Sequence, residues 1–285
     1  MTELEIIAKI NESEKQLQIL EKELVETTTA MNALKLTING GFGKFGSKYS
    51  LLFAPDLMIA VTMTGQMSLL MLIEMIELVG IPVVSGNTDG IVIKCPVERY
   101  EELNSIIAEW EAITRFETEE TRYKAIYCRD VNNYLAVKDN ECKVKGCYAE
   151  RGSALNSVLS KNPENLICSD AVIMLIAKDV PIEQTIMECK DIRRFISLRQ
   201  VKGGGEKNGI YLGKVIRYYY AKGETGCINY VISGNKVANS DGAFPCMDLP
   251  ETFPDNIDYD KYLQLTNEML FDIDYLHKER QITFF

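Results

Sequence analysis

Ile81-Pro82-Val83-Val84-Ser85-Gly86-Asn87-Thr88-Asp89-Gly90-Ile91-Val92-Ile93 places two short β-branched runs on either side of a polar, glycine-bearing turn. That pattern predicts a β-hairpin, and it puts Asp89 at the tip, at the edge of a sheet. Upstream, Pro55 to Val79 carries Met and Leu at helical spacing and runs directly into the first strand. Further upstream, Leu17, Leu20, Leu24, Leu34 and Ile38 stand among Glu, Lys and Gln. Their spacing predicts helix, interrupted near Thr27-Thr28-Thr29 to give two helices in a hairpin. Gly40, Gly41, Gly43 and Gly46, with Phe42 and Phe45 among them, then predict a helix end where backbone can approach a ligand closely.

Downstream of the hairpin, residues 98 to 120 read as an acidic helix with a solvated outer face. Tyr123 to Tyr127, Asn133 to Lys138 and Cys142 to Tyr148 read as strands joined by turns. After Gly152 the pattern is helical, broken by Pro163 and Pro181, which places a boundary near residue 150. Between Arg193 and Lys222 eight basic residues face one acid, Glu206, a local balance of +7 in a chain whose net charge is -10. Such a stripe suits phosphate contacts and counterion release, although Tyr218, Tyr219 and Tyr220 equally fit a strand with one face in the core.

Composition narrows the chemistry. The 285 residues are 46% hydrophobic and 25% charged, as in a globular chain long enough to bury a sizeable core. Eight cysteines without a CxxC pair indicate neither a zinc site nor a disulfide framework. A single histidine, His277 near the C-terminus, reads against Ser/His/Asp or Cys/His catalysis, so the expectation is that any catalysis runs on carboxylates. Leu51 to Ile81 is the most apolar stretch, and Pro55, Asp56, Gln66, Glu74 and Glu77 within it read against a membrane span. With no secretory signal pattern at Met1-Thr2-Glu3-Leu4-Glu5, the expectation is a reducing, cytoplasmic setting and no membrane partner.

Three elements carry the functional reading: Lys35-Leu36-Thr37-Ile38-Asn39-Gly40-Gly41-Phe42-Gly43, the turn Gly86 to Gly90, and the strands holding Tyr134 and Lys145-Gly146. On a helix Lys35, Asn39 and Phe42 project from one face, and a cation, an amide and a ring together suit a triphosphate, a sugar and a base. The first element resembles motif B of family B DNA polymerases, K-x-x-x-N-S-x-Y-G. The second resembles their motif C, Y-G-D-T-D-S, in the expected order and separation.

The resemblance implies that Lys35 neutralises an incoming triphosphate and that Asn39, Phe42 and Gly43 line the nucleotide. It implies that Asp89 is a catalytic Mg²⁺ ligand. Asn87 replaces the first acid of motif C, Gly90 replaces its final serine, and Phe42 stands for the tyrosine of motif B. Val131-Asn132-Asn133-Tyr134 and Lys145-Gly146 are similar to the segments that touch the primer-template minor groove, with the lysines of the first segment absent. Arg193, Arg194, Arg199, Lys202, Lys214 and Arg217 fall in a section that resembles the thumb of bacteriophage-type members. Gln281, Phe284 and Phe285 resemble a sliding-clamp peptide, with docking of the tail on its own thumb as the alternative.

Two-metal nucleotidyl transfer needs more carboxylate than one aspartate supplies, and no D-x-x-S-L-Y-P motif A occurs in the sequence. The resemblance therefore implies the C-terminal part of a polymerase, bacteriophage type. Its fold would be α+β: fingers helices over 1–47, a partial palm with an antiparallel sheet over 48–150, and a thumb with tail over 151–285. Its expected partners are primer-template DNA, dNTP, a sliding clamp, and an N-terminal chain carrying motif A and the exonuclease. A viral source would place it in the bacterial host cytoplasm. The rival readings are a non-catalytic DNA-binding subunit or inactive remnant, and an RNA-making palm enzyme, which the motif B helix disfavours.

Overall fold

The computed structural model describes residues 3–139, 141–149 and 164–275. Helix and antiparallel sheet are mixed in an α+β chain that divides into two compact units, up to Thr118 and from Glu119 onward.

The first unit opens with α1 (Glu3–Phe45), a single helix of 43 residues, about 65 Å long at 1.5 Å per residue. The expected break at Thr27 to Thr29, and with it a helical hairpin inside this segment, does not occur. Thr29 Oγ1 donates to the carbonyl of Val25 at 2.7 Å and Thr37 Oγ1 to that of Ala33 at 2.9 Å. Each hydroxyl is satisfied one turn back along the helix, so these threonines sit in it without breaking it. The glycines do not stop α1 at residue 40 either. It runs through Gly40, Gly41 and Gly43 and ends beside Gly46, where the Ala54 N–H donates to the carbonyl of Phe45 at 3.0 Å.

Helix α2 (Pro55–Leu78) starts with Pro at its first turn, where a missing N–H costs nothing. It leads into β1 (Val83–Asn87) and β2 (Gly90–Ile93), the antiparallel hairpin expected from the sequence, with Asn87 paired to Gly90. Helix α3 (Tyr100–Thr114) closes the unit, ending on Arg115 in the left-handed region. Leu72, Ile76, Ile81, Leu103 and Trp110 form the core, lined by Val83, Ile91 and Ile93 of the hairpin. Trp110 Nε1 donates to the carbonyl of Ser68 at 2.8 Å, tying α3 to α2. By length and composition alone α2 is long and apolar enough to cross a membrane, because the acids expected to prevent this lie toward its ends; the C-terminal turns instead supply Leu72 and Ile76 to the core.

Among the described residues the second unit contains two sheets and three α-helices. In the first sheet β3 (Ala125–Asp130), β4 (Asn133–Lys138) and β5 (Glu141–Lys145) run antiparallel in chain order. In the second, β6 (Ser197–Lys207) and β7 (Ile210–Tyr220) form a long hairpin flanked by β8 (Asn229–Tyr230) and β9 (Ala243–Pro245). Helices α4 (Leu166–Lys178), α5 (Ile182–Glu188) and α6 (Tyr259–Asp272) pack against one another. One cluster joins Leu135 and Tyr148 of the first sheet region to α4, β6, β7 and α6. The strands bearing Tyr134 and Lys145 thus share a core with residues beyond 164, and the sparse boundary lies at 118.

The Tyr218-Tyr219-Tyr220 run is buried core strand, not an outward phosphate-facing stripe. Both Tyr218 and Tyr220 donate their hydroxyls to the carbonyl of Asn239, and Tyr219 donates to Asn256 Oδ1 at 3.0 Å.

Candidate functional site

In the first unit the polar residues singled out from sequence lie on α1 and on the β1–β2 turn. Lys35, Asn39 and Phe42 are all exposed on α1, and Phe42 meets Phe45 edge to face with ring centroids 6.3 Å apart. Glycines inside a helix are destabilising by up to ~1 kcal/mol each relative to alanine. A Cβ added at Gly40, Gly41 or Gly43 would meet nothing within 4 Å, and none of the three has positive φ. Nothing among the described residues therefore requires glycine there, whereas close approach by another molecule would.

The β1–β2 turn is strained. Thr88, a β-branched residue, has φ of 52°, in the left-handed region such residues avoid. The Asp89 N–H donates to the carbonyl of Asn87 at 2.6 Å, closing a three-residue turn about Thr88. Thr88 Oγ1 also donates to Asn87 Oδ1 at 2.9 Å. Asp89 itself is exposed, and its carboxylate makes no hydrogen bond or ion pair among the described residues. Strain of this kind, of order 1–3 kcal/mol, is characteristic of functional turns. Sequence reasoning placed Asp89 at the hairpin turn but did not reveal the strain at Thr88, since Thr at that turn position carries no signal of positive φ.

In the second unit the paired expectations meet. Tyr134 on β4 is the register partner of Lys145 on β5, and Lys145 Nζ lies over the Tyr134 ring, 5.8 Å from its centroid. Gly146, at φ of 70°, has no room for a side chain: a Cβ would collide with Asn133 Oδ1 and with the carbonyl of Asn132. Asn133 Oδ1 accepts from the Cys147 N–H at 2.7 Å, and Asn133 Nδ2 donates to both oxygens of Asp130 at 2.8 Å. The Asn132 N–H and the Asn133 amide together hold the Asp130 carboxyl below its usual range. Asn133 and Gly146 thus lock the loop beside the Tyr134–Lys145 pair, a role that spacing alone did not reveal.

The basic stripe is less positive than its sequence. Arg193 pairs with Asp191 at 2.7 Å, Arg194 with Asp170, and Arg199 with Glu164. Lys207 is buried, donating to Glu224 Oε1 at 2.7 Å and to the carbonyl of Ala243 at 2.5 Å. Lys202 and Lys214 are exposed on β6 and β7, and Arg217 is half-buried on β7. Gln281, Phe284, Phe285 and His277 lie outside the described residues.

Asp89 is a single carboxylate, and among the described residues no three His, Cys, Asp or Glu side chains gather to hold a metal ion. The described residues do not by themselves fit a pair of Mg²⁺ ions. No family model matches the chain, and no curated protein matches it.

Proposed function

We propose that this chain is the C-terminal subunit of a split, bacteriophage-type family B DNA polymerase, extending a primer 3'-hydroxyl with dNTP on a template once another chain supplies motif A. The observation that carries the reading is Asp89: an exposed carboxylate without a partner among the described residues, on a turn held in strain at Thr88. Its unit also contains α1, on which Lys35, Asn39 and Phe42 are exposed and three glycines have no neighbour among the described residues that calls for glycine.

On this reading Lys35 neutralises triphosphate charge, while Asn39, Phe42 and Gly43 shape the space beside the nascent pair. These are positioning and electrostatic roles, which dominate phosphoryl transfer. Tyr134 with Lys145, and Lys202, Lys214 and Arg217, would contact primer-template DNA. The missing acid would come from the partner, and Asp89 would be this chain's ligand to Mg²⁺.

A non-catalytic DNA-binding subunit is the second reading. Asn87 favours it, because its side-chain oxygen, at the position of the first motif C acid, already accepts the Thr88 hydroxyl. Primer extension separates the two. Under the first reading the chain alone extends nothing, a mixture with the polypeptide encoded beside it extends, and Asp89→Ala in that mixture abolishes extension. No extension in the mixture, with DNA binding intact, establishes the second.

A further inference from the structure

We infer that α1 is the seam of a parallel, in-register homodimer, in which two copies of this chain pair as a coiled coil. The inference does not depend on the polymerase reading.

A single uninterrupted helix turns a sequence spacing into a surface. Ile10, Leu17, Leu24, Met31 and Ile38 recur every seven residues along α1, and each is at least half exposed. They occupy the a positions of a heptad. The d positions after them are Ser13, Leu20, Thr27, Leu34 and Gly41. An apolar seven-residue repeat sustained over four heptads is the period that makes helices supercoil around one another.

The surface carries the matching sockets. A shallow groove along α1 is lined by Thr27, Ala30, Met31, Leu34, Lys35, Ile38 and Asn39. Thr27, Ala30, Met31 and Leu34 stand at d, g, a and d, the four corners of the hole that takes an a residue of a parallel partner. Met31, Leu34, Lys35 and Ile38 stand at a, d, e and a, the four corners of the hole that takes its d residue.

The seam selects its occupant. Ser13 and Thr27 are its polar d residues, and a parallel, in-register second copy sets each against itself, hydroxyl beside hydroxyl. A shift by one heptad would set Ser13 against Leu20. An antiparallel partner of full overlap pairs a with d, so Ser13 would meet Ile38, Thr27 would meet Leu24, and Lys9 would lie beside Lys44. The flanking charges agree with the parallel arrangement. Lys9 at g faces Glu14 at e of the second copy, and the later g–e pairs, Gln16 with Glu21, Glu23 with Thr28 and Ala30 with Lys35, contain no like charges. Lys35, which closes one socket, and Phe42 fall at e and Asn39 at b, on one flank of the seam.

Sedimentation equilibrium of the full chain tests this between about 1 and 100 µM. The wild type should sediment as a dimer, and Leu24→Glu should be monomeric. Lys9→Glu should weaken the dimer by roughly fivefold to tenfold, since it sets two like-charge pairs in place of two attractive ones. The double variant Lys9→Glu/Glu14→Lys should restore it, which only a parallel second copy predicts and which a merely misfolded Lys9→Glu chain would not show. A monomeric wild type across the range, a dimer indifferent to Leu24→Glu, or failure of the double swap to restore dimerisation overturns the inference. Because no nucleotide or DNA is involved, its failure would leave the polymerase reading untouched, and the converse holds for primer extension.

Discussion

The second unit buries a core on its own; the first exposes most of what it would need to bury. Beyond Glu119 one cluster takes in Leu135, Tyr148, Phe195, Ile216, Tyr218, Tyr262 and many neighbours, drawing on both sheets and on the helices α4 to α6. Before Thr118 only Leu72, Ile76, Ile81, Leu103 and Trp110 are buried apolar residues among those described. Leu17, Leu24 and Leu36 on α1, Leu51 to Phe53, and Leu57, Ile59, Val61, Met63 and Met67 on α2 stand open. Apolar area left in water contributes nothing to folding. The contrast separates a self-sufficient body from one that leaves most of its apolar side chains on α1 and α2 in water.

The largest expected effect breaks the self-sufficient side. Phe195 is fully buried, with edge-to-face contacts to Phe253, Tyr259 and Tyr262. Phe195→Ala should destabilise the second unit by about 3–5 kcal/mol in urea unfolding. The matched substitution on the open side, Leu57→Ala, should cost less than about 0.5 kcal/mol in the isolated chain. Comparable losses at the two positions would erase the contrast. Next in size is Tyr262→Phe. The Tyr262 hydroxyl donates to the carbonyl of Phe195 at 2.8 Å and accepts from the Tyr220 N–H at 2.9 Å. Its removal strands two buried backbone groups and should cost about 1–3 kcal/mol with little change in packing. In the first unit Trp110→Phe keeps a ring but loses the bond to Ser68, and should lower the midpoint of the first unit by the equivalent of about 1 kcal/mol. If the units are as unequal as their cores, calorimetry should resolve two transitions, with Trp110→Phe moving only the lower one.

Legibility followed locality. The β1–β2 hairpin was readable because turn residues and flanking β-branched runs are adjacent in sequence. Strand β4 fell where alternation put it, from Asn133 to Lys138. Continuity of α1 was not readable: four threonines and three glycines each lower helix propensity, and the hydrogen bonds that satisfy the Thr29 and Thr37 hydroxyls show only in the folded chain. The Tyr134–Lys145 pair followed from strand order. Neutralisation of Arg194 and Arg199 did not, since Asp170 and Glu164 lie outside the window over which charges were balanced. Counting charges along a chain registers sign, whereas an ion pair is a fact of three dimensions.

The smallest expected effect bears on that last point. The Arg193 guanidinium, with its own backbone amide, holds the Asp191 carboxyl below the usual carboxylate range. A carboxyl whose folded pKa lies below its unfolded value, about 3.9, stabilises the fold above that value and loses the contribution as pH falls through the folded one. Asp191 is more than a third exposed, so solvent screening limits the pair to less than about 1 kcal/mol. Asp191→Asn should therefore be slightly less stable than wild type at pH 7, and the gap should close as pH is lowered below about 4. A gap constant with pH would mean that the amide fails for its shape and not for its missing charge. The same variant releases Arg193 on the stripe proposed to meet DNA. If that face binds a phosphate backbone, Asp191→Asn should bind duplex more tightly at low salt and steepen the salt dependence by about one counterion. Unchanged affinity and slope would place the DNA contact elsewhere, on Lys202, Lys214 and the Tyr134–Lys145 pair, and would leave Arg193 as a brace for the turn that begins β6.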